Sequence, residues 1–228
     1  MRFVHTADWH LGKLFGQRHM TEDQAYVLEE LLALCADLRP DALVIAGDVY
    51  DRAIPPPEAV ELFNTILTKL SELGISVLFI AGNHDSAVRL DFGAQLLRSS
   101  GIYLAGIVRA AEPPVILSDE FGDVYFSLLP YGDPPHVREA FTLDETPSFD
   151  GALAVQIAAA RAQIPSGARS VAVAHAFVIG GQSSESENAL SVGGSDQVHA
   201  ENFAAYNYTA LGHLHASQRA GADHIRYS

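Results

Sequence analysis

The chain has 228 residues, 48% of them hydrophobic, which is enough to bury one sizeable α/β core. Its 28 acidic and 14 basic residues leave a formal charge of −14, the opposite of the basic face that a nucleic-acid binder usually shows. A single cysteine, Cys35, excludes an internal disulfide, and apolar runs such as Ile75 to Ala81 fall far short of the roughly 20 residues of a membrane span. The opening Met1 to Thr6 lacks the apolar segment and cleavage site of a signal peptide, so a cytoplasmic protein is expected.

Residues 2–6 read as a strand that runs into Asp8-Trp9-His10. Thr21 and Gln24 are spaced as a capping box, and Val27, Leu28, Leu31, Leu32, Cys35 and Leu38 give the apolar stripe of the helix that follows. Arg39-Pro40 ends that helix. Ala42 to Ala46 is a short, wholly apolar strand of the kind buried on both faces, and it runs into Gly47-Asp48-Val49-Tyr50-Asp51. Pro55-Pro56-Pro57 leads into a second helix with Leu62, Phe63, Ile66, Leu67, Leu70 and Leu73 on one side, terminated at Gly74. Ile75 to Ala81 is another buried strand and runs into Gly82-Asn83-His84-Asp85.

Val115 to Leu117 and Val124 to Leu129 read as strands around a turn, and residues 151–163 as an Ala-rich helix. Ser170 to Ala174 is a strand that delivers His175; Tyr208 to Leu211 is one that delivers Gly212-His213-Leu214-His215. Between them, residues 180–195 are rich in Gly and Ser and read as a long functional loop. His224 to Ser228 reads as a strand just beginning, and the expectation is that more of the protein follows. The order predicts an α/β sandwich with sheets in the middle and helices outside.

Five strand ends thus deliver Asp, Asn and His to one sheet edge, where α/β folds bind their ligands. A donor set of imidazole, carboxylate and amide suits manganese or iron, with zinc open. Two ions roughly 3.5–4 Å apart need a bridging ligand, which a carboxylate supplies with its two oxygens and a neutral imidazole does not. Glycines at 47, 82 and 212 are expected to let the backbone turn sharply beside the site. Each fragment alone has an ordinary reading: Asp8 as a cap, Gly-Asp and Gly-Asn as turns, His175 as a structural histidine. Their joint occurrence, in order and each at a strand end, is what chance explains poorly.

Asp-x-His, Gly-Asp-x-x-Asp, Gly-Asn-His-Asp, a lone His and Gly-His-x-His, in that order over residues 8–215, resemble the signature of the calcineurin-like metallophosphoesterases. The resemblance implies a four-layer α/β/β/α sandwich with two mixed central sheets and helices outside. A narrower resemblance, to SbcD-type exonuclease subunits, rests on His5 to Gly12, Asp23-Gln24, Gly82 to Ser86, Gly180 to Glu187, Ser191 to Gly194 and Tyr208 to His215. It implies that residues 1–228 form the nuclease domain and that the family's capping domain lies outside them.

Carried over by position, Asp8, His10 and His215 would hold a first metal and Asn83, His175 and His213 a second. Asp48 would bridge the two. His84 would face the phosphate, and Asp85 would orient it by accepting its other N–H. The roles of Asp51 and Arg52 stay open, with Asp51 expected at most to brace its loop. His5, His19, His136, His199 and His224 match no ligand position and are expected to be structural or exposed.

The resemblance further implies in-line phosphodiester hydrolysis by two metals, most readily Mn2+ with Fe or Zn open. The activity would be a 3′ to 5′ exonuclease and single-strand endonuclease on DNA, acting at double-strand breaks and hairpins. The implied assembly is a homodimer with an SMC-like ATPase, SbcC, and no membrane is implied. The chain has no Gly-x-x-x-x-Gly-Lys-Ser/Thr loop, which leaves ATP use to that partner. Two other readings stand beside this one: a phosphatase or cyclic-nucleotide phosphodiesterase on a non-DNA substrate, and a metal-free scaffold. The presence of all seven ligand positions and His84 speaks against the scaffold.

Overall fold

The computed structural model describes residues 1–182 and 196–228. Its first half runs β1 (Phe3–Thr6), β2 (Leu14–Phe15), β3 (Arg18–His19), α1 (Thr21–Leu38), β4 (Ala42–Ile45), α2 (Pro57–Glu72), β5 (Ser76–Ile80), α3 (Ala87–Leu90), α4 (Ala94–Leu97) and β6 (Ile102–Ala105). The second half runs β7 (Val115–Asp119), β8 (Gly122–Leu129), α5 (Pro134–Phe141), α6 (Phe149–Arg161), β9 (Arg169–His175), β10 (Phe177–Val178), β11 (Gln197–Val198), β12 (Tyr208–Gly212), β13 (Gln218–Ala220) and β14 (Ala222–Tyr227).

Side chains alternate across each strand, and that alternation makes the layers. Leu43 and Ile45 of β4, Val77 and Phe79 of β5, and Ile102 and Leu104 of β6 meet Leu28, Leu32, Phe63, Ile66 and Leu70 of α1 and α2. The intervening residues Ala42, Val44, Leu78, Ile80 and Ala105 face the other way. There they meet Val124, Phe126, Leu128, Val171, Val173 and Ala210 of a second sheet. The outer side of that sheet, with Leu129, Ala172, Ala174, Leu211 and Ile225, is covered by Leu153 and Ile157 of α6. The order is therefore α/β/β/α, as expected.

The first sheet, β1-β4-β5-β6, is parallel throughout. The second, β13-β14-β12-β9-β8-β7, is mixed: its inner pairs are parallel and the pairs at its two edges antiparallel. His224 belongs to β14, a full strand paired parallel to β12. The hydroxyl of Tyr227 on that strand donates to the Ala176 carbonyl at 2.7 Å and accepts from Val178 N at 2.9 Å. No helix among the described residues is long and apolar enough to cross a membrane.

α1 ends as predicted, with Arg39 in the left-handed conformation and its N–H on the Cys35 carbonyl. Its start differs. The N-cap is Met20, no side chain caps the helix, and the expected box between Thr21 and Gln24 does not form. Gln24 is committed elsewhere, as described below.

His5, which matched no ligand position, ties the two sheets together. Its Nε2 donates to the Leu211 carbonyl at 3.1 Å, leaving Nδ1 to accept from the Tyr208 hydroxyl at 3.2 Å. Burial holds its pKa down at about 4 against the carbonyl contact, which opposes it. A histidine depressed in the folded state contributes stability that is complete above its unfolded value near 6.5 and is lost as pH falls towards 4. Metal-free wild type should therefore lose about 2–3 kcal/mol more than His5→Gln between pH 7 and pH 4. Urea midpoints across that range test this, and parallel curves for the two proteins would refute it.

Candidate metal centre

β1, β4 and β5 of the first sheet and β9 and β12 of the second all end at one edge of the sandwich, and every expected ligand lies at or just after one of those ends. The backbone there is unusual. Asp8, His10, Asp48 and His213 have φ of 55°, 44°, 51° and 107°. This left-handed region costs an L-residue about 1–2 kcal/mol. Such strain persists only where the surroundings over-determine it.

The surroundings do so here. The loop 8–11 lies along the loop 47–50: Asp8 N donates to Gly47 O (3.0 Å), His10 N to Asp48 O (3.0 Å) and Leu11 N to Val49 O (2.9 Å). The Asp8 carboxylate accepts the amide of His213 at 3.0 Å, and Asp48 Oδ1 accepts that of His84 at 2.9 Å. These contacts lock the backbones together across four strand ends.

The side chains form two sets. In one, His10 Nε2 and His215 Nε2 lie 3.1 Å apart, at 4.0 and 3.9 Å from Asp8 Oδ1. In the other, Asn83 Oδ1 lies 2.9 Å from His175 Nε2 and 3.0 Å from His213 Nδ1. Asp48 Oδ2 sits between them, 3.7 Å from His10 Nε2 and 3.4 Å from His175 Nε2. Asp48 is 2% exposed and His175 3%.

The donor chemistry fits divalent cations. His175 Nδ1 donates to the Ala46 carbonyl at 2.9 Å, which turns the Nε2 lone pair towards the site. His10 Nδ1 is buried without a hydrogen bond, with Asp51 Oδ1 3.7 Å away. Burial lowers His10 to about 3, with Asp48 opposing, and lowers His213 to about 4, helped by the charge of His175. Both are therefore neutral at pH 7, the form a metal requires. Burial acts to raise Asp48 and lower His175, but their mutual attraction outweighs it. Asp48 is held below the carboxylate range and His175 above the histidine range. Without a cation, this pair keeps a proton where the ion would sit.

Two expectations are corrected. Asp85 does not orient His84. Its carboxylate accepts the amides of Val49 (3.1 Å), Tyr50 (2.9 Å) and Gly82 (2.9 Å), bracing two loops against each other. Burial raises it to about 6 despite those three N–H groups. The partner of His84 is the main-chain carbonyl of Asp51, which accepts its Nδ1–H at 2.9 Å. Among the three glycines, only Gly47 has a positive φ, 91°. Gly82 and Gly212 are there for space: a Cβ at Gly82 would stand 2.1 Å from Asp48 Oδ1, and one at Gly212 2.0 Å from the Ala46 carbonyl.

Gly82→Ala must therefore displace Asp48. We expect it to weaken metal binding by one to two orders of magnitude, as loss of a ligand's support does. Manganese titration of the two proteins measures this directly.

Two residues near the site are given no part in it by the sequence reading. Gln24 is hidden in the apparent capping box. Tyr131, whose ring centroid lies 6.3 Å from that of His175, follows β8, a sixth strand end that carries no ligand type. The Gly- and Ser-rich stretch lies largely outside the described residues, from 183 to 195, while Gln182 before it is tied to Gln218 by two hydrogen bonds of 2.8 Å.

Comparison with known proteins agrees with this geometry. The sequence profile of the family described as calcineurin-like phosphoesterase matches residues 1–216. The chain is 32% identical over 229 residues to a Staphylococcus epidermidis protein named as a subunit of the nuclease SbcCD, covering all of this chain and 60% of that protein. The crystal structure of TT1561 from Thermus thermophilus has the same fold, with a TM-score of 0.52 at 13% identity over 99% of this chain and 88% of the other. The chain belongs to the calcineurin-like phosphoesterase family.

Proposed function

We propose that this chain is the nuclease domain of a two-metal DNA phosphodiesterase of the SbcD type. The observation that carries the reading is the place of Asp48 Oδ2, within 3.4–3.7 Å of one histidine from each ligand set. Asp8, His10 and His215 would hold one ion and Asn83, His175 and His213 the other, with Asp48 within reach of both sets. When bound, the ions, Mn2+ first with Fe or Zn open, would lower the pKa of coordinated water and offset phosphate charge.

The chain's own residues do the rest. His84, held by the Asp51 carbonyl, presents Nε2 to the phosphate, where its charged form stabilises the transition state and protonates the leaving oxygen. Asp85 keeps the loops that carry Asp48 and His84 at fixed spacing. A nucleic-acid substrate is supported by the relative named as part of a nuclease, and DNA is the class we propose. This chain spans 60% of that relative's length, and we assign the capping domain to the remainder. We further propose a cytoplasmic homodimer with the SMC-like ATPase SbcC; exposed Tyr26, Val27 and Leu34 on α1 and Val60 on α2 offer apolar surface for such contacts.

The test is end-labelled single-stranded DNA with Mn2+, beside Asn83→Ala. Progressive shortening by wild type, lost in the variant, supports the reading. The charge of −14 favours a second one, a phosphatase or cyclic-nucleotide phosphodiesterase. Intact DNA beside rapid hydrolysis of a small aryl phosphodiester would select it.

A further inference from the structure

We propose that Gln24 is a positioning residue for the first metal site: its side-chain amide fixes the left-handed loop that presents Asp8 and His10. The inference rests on the metal-centre reading above.

That loop alternates in hand, with positive φ at Asp8, His10 and Gly12. One side of it is zipped to the loop 47–50. Gln24 holds it from α1. Gln24 Nε2 donates to the Trp9 carbonyl at 3.1 Å and to the His10 carbonyl at 2.7 Å, and Oε1 accepts the Gly12 amide at 3.1 Å. Both N–H donors and the oxygen of one amide are thus used on three backbone groups in a run of four residues.

The support is rigid. Gln24 lies one and two turns ahead of Leu28 and Leu32, which are buried against the first sheet, so it sits on the anchored stripe of α1. Lys13 N on the His10 carbonyl and Met20 N on the Lys13 carbonyl, both 3.0 Å, close the turn from loop to helix.

Only an amide of this length offers two donors and an acceptor together. Glutamate has the same shape but no donor when ionised, and it would set a carboxylate against two carbonyl oxygens. The backbone of His10 would then lose the one side-chain hydrogen bond among those that hold it at a φ of 44°. His10 Nε2 would move relative to Asp8 and His215, while Asn83, His175 and His213, which Gln24 does not touch, would stay.

The experiment is Mn2+ binding, read by calorimetry and by the paramagnetic signal of free Mn2+, for wild type, Gln24→Glu and Asp23→Asn as the exposed neighbour. Wild type and Asp23→Asn should bind two ions. Gln24→Glu should weaken one by about 10–100-fold, the usual effect of losing a ligand's support, and leave the other unchanged. In a His215→Ala background, adding Gln24→Glu should not alter the remaining ion. Two full-affinity sites in Gln24→Glu would overturn the proposal, as would equal weakening of both sites or further loss in the His215→Ala background. Should Gln24→Glu not fold, Gln24→Asn, which is too short to reach all three groups, is read by the same criteria. Absence of Mn2+ binding in wild type would instead overturn the metal centre itself, and this inference with it.

Discussion

Asp48→Asn is expected to abolish phosphodiester hydrolysis, lowering kcat/KM by at least about 10³-fold, or about 4 kcal/mol. Asp48 Oδ2 reaches a histidine of both ligand sets, at 3.7 Å from His10 and 3.4 Å from His175. An amide offers one oxygen and no charge, so it cannot bridge two cations and compensate them. The Mn2+ stoichiometry should fall from two to one or less. The fold should survive, because Asn keeps an oxygen for the His84 amide that Asp48 Oδ1 now accepts. The variant should also stop the proton release that accompanies metal binding. In the metal-free protein, Asp48 holds a proton on His175 that a cation must displace. Calorimetry in buffers of different ionisation heat reads that release. A variant that still binds two ions and cleaves at the wild-type rate would remove Asp48 from the bridge.

The ligand positions are legible in the sequence because each sits directly after an apolar strand, and a strand end is a short-range signal. Ala42 to Ala46 and Ile75 to Ala81 fold as β4 and β5 with nearly the predicted bounds, because both faces of each are apolar. β6 is harder: Ile102 to Ala105 is only four residues long and gains its place by pairing with β5, not by its own pattern. β2 and β3 are exposed two-residue strands with no periodicity to read. The supporting contacts are not legible at all. Thr21 and Gln24 have the right spacing for a cap, but Gln24 has the Trp9, His10 and Gly12 backbone groups within reach, and three tertiary hydrogen bonds outweigh one local one. The motif pairs Asp85 with its neighbour His84, yet the amides of Val49, Tyr50 and Gly82 surround its carboxylate. Sequence adjacency names the residues; three-dimensional packing decides whom they touch.

His84→Ala should separate chemistry from metal binding, and its expected effect is the second largest. The His84 Nε2 lies 3.9 Å from Asp48 Oδ2, so distance alone would allow it to be a ligand. Two observations argue otherwise. Its side chain is 26% exposed, against 17% for His215, 6% for His10 and 0% for His175, so it is the most open of these four histidines. The ligand sets proposed above for the two ions do not call on it. We therefore expect His84→Ala to bind two Mn2+ with near wild-type affinity and to lose about 10²–10⁴-fold in kcat, the usual worth of a positioned proton donor. The loss should be smaller for substrates whose leaving group needs no proton. An aryl phosphodiester with a strongly acidic phenol should therefore suffer less than DNA. Because the Asp51 carbonyl, not Asp85, holds the imidazole, Asp85→Asn should leave that leaving-group dependence as in wild type. If His84→Ala instead loses one metal, His84 is a ligand, and the proton for the leaving oxygen must come from elsewhere.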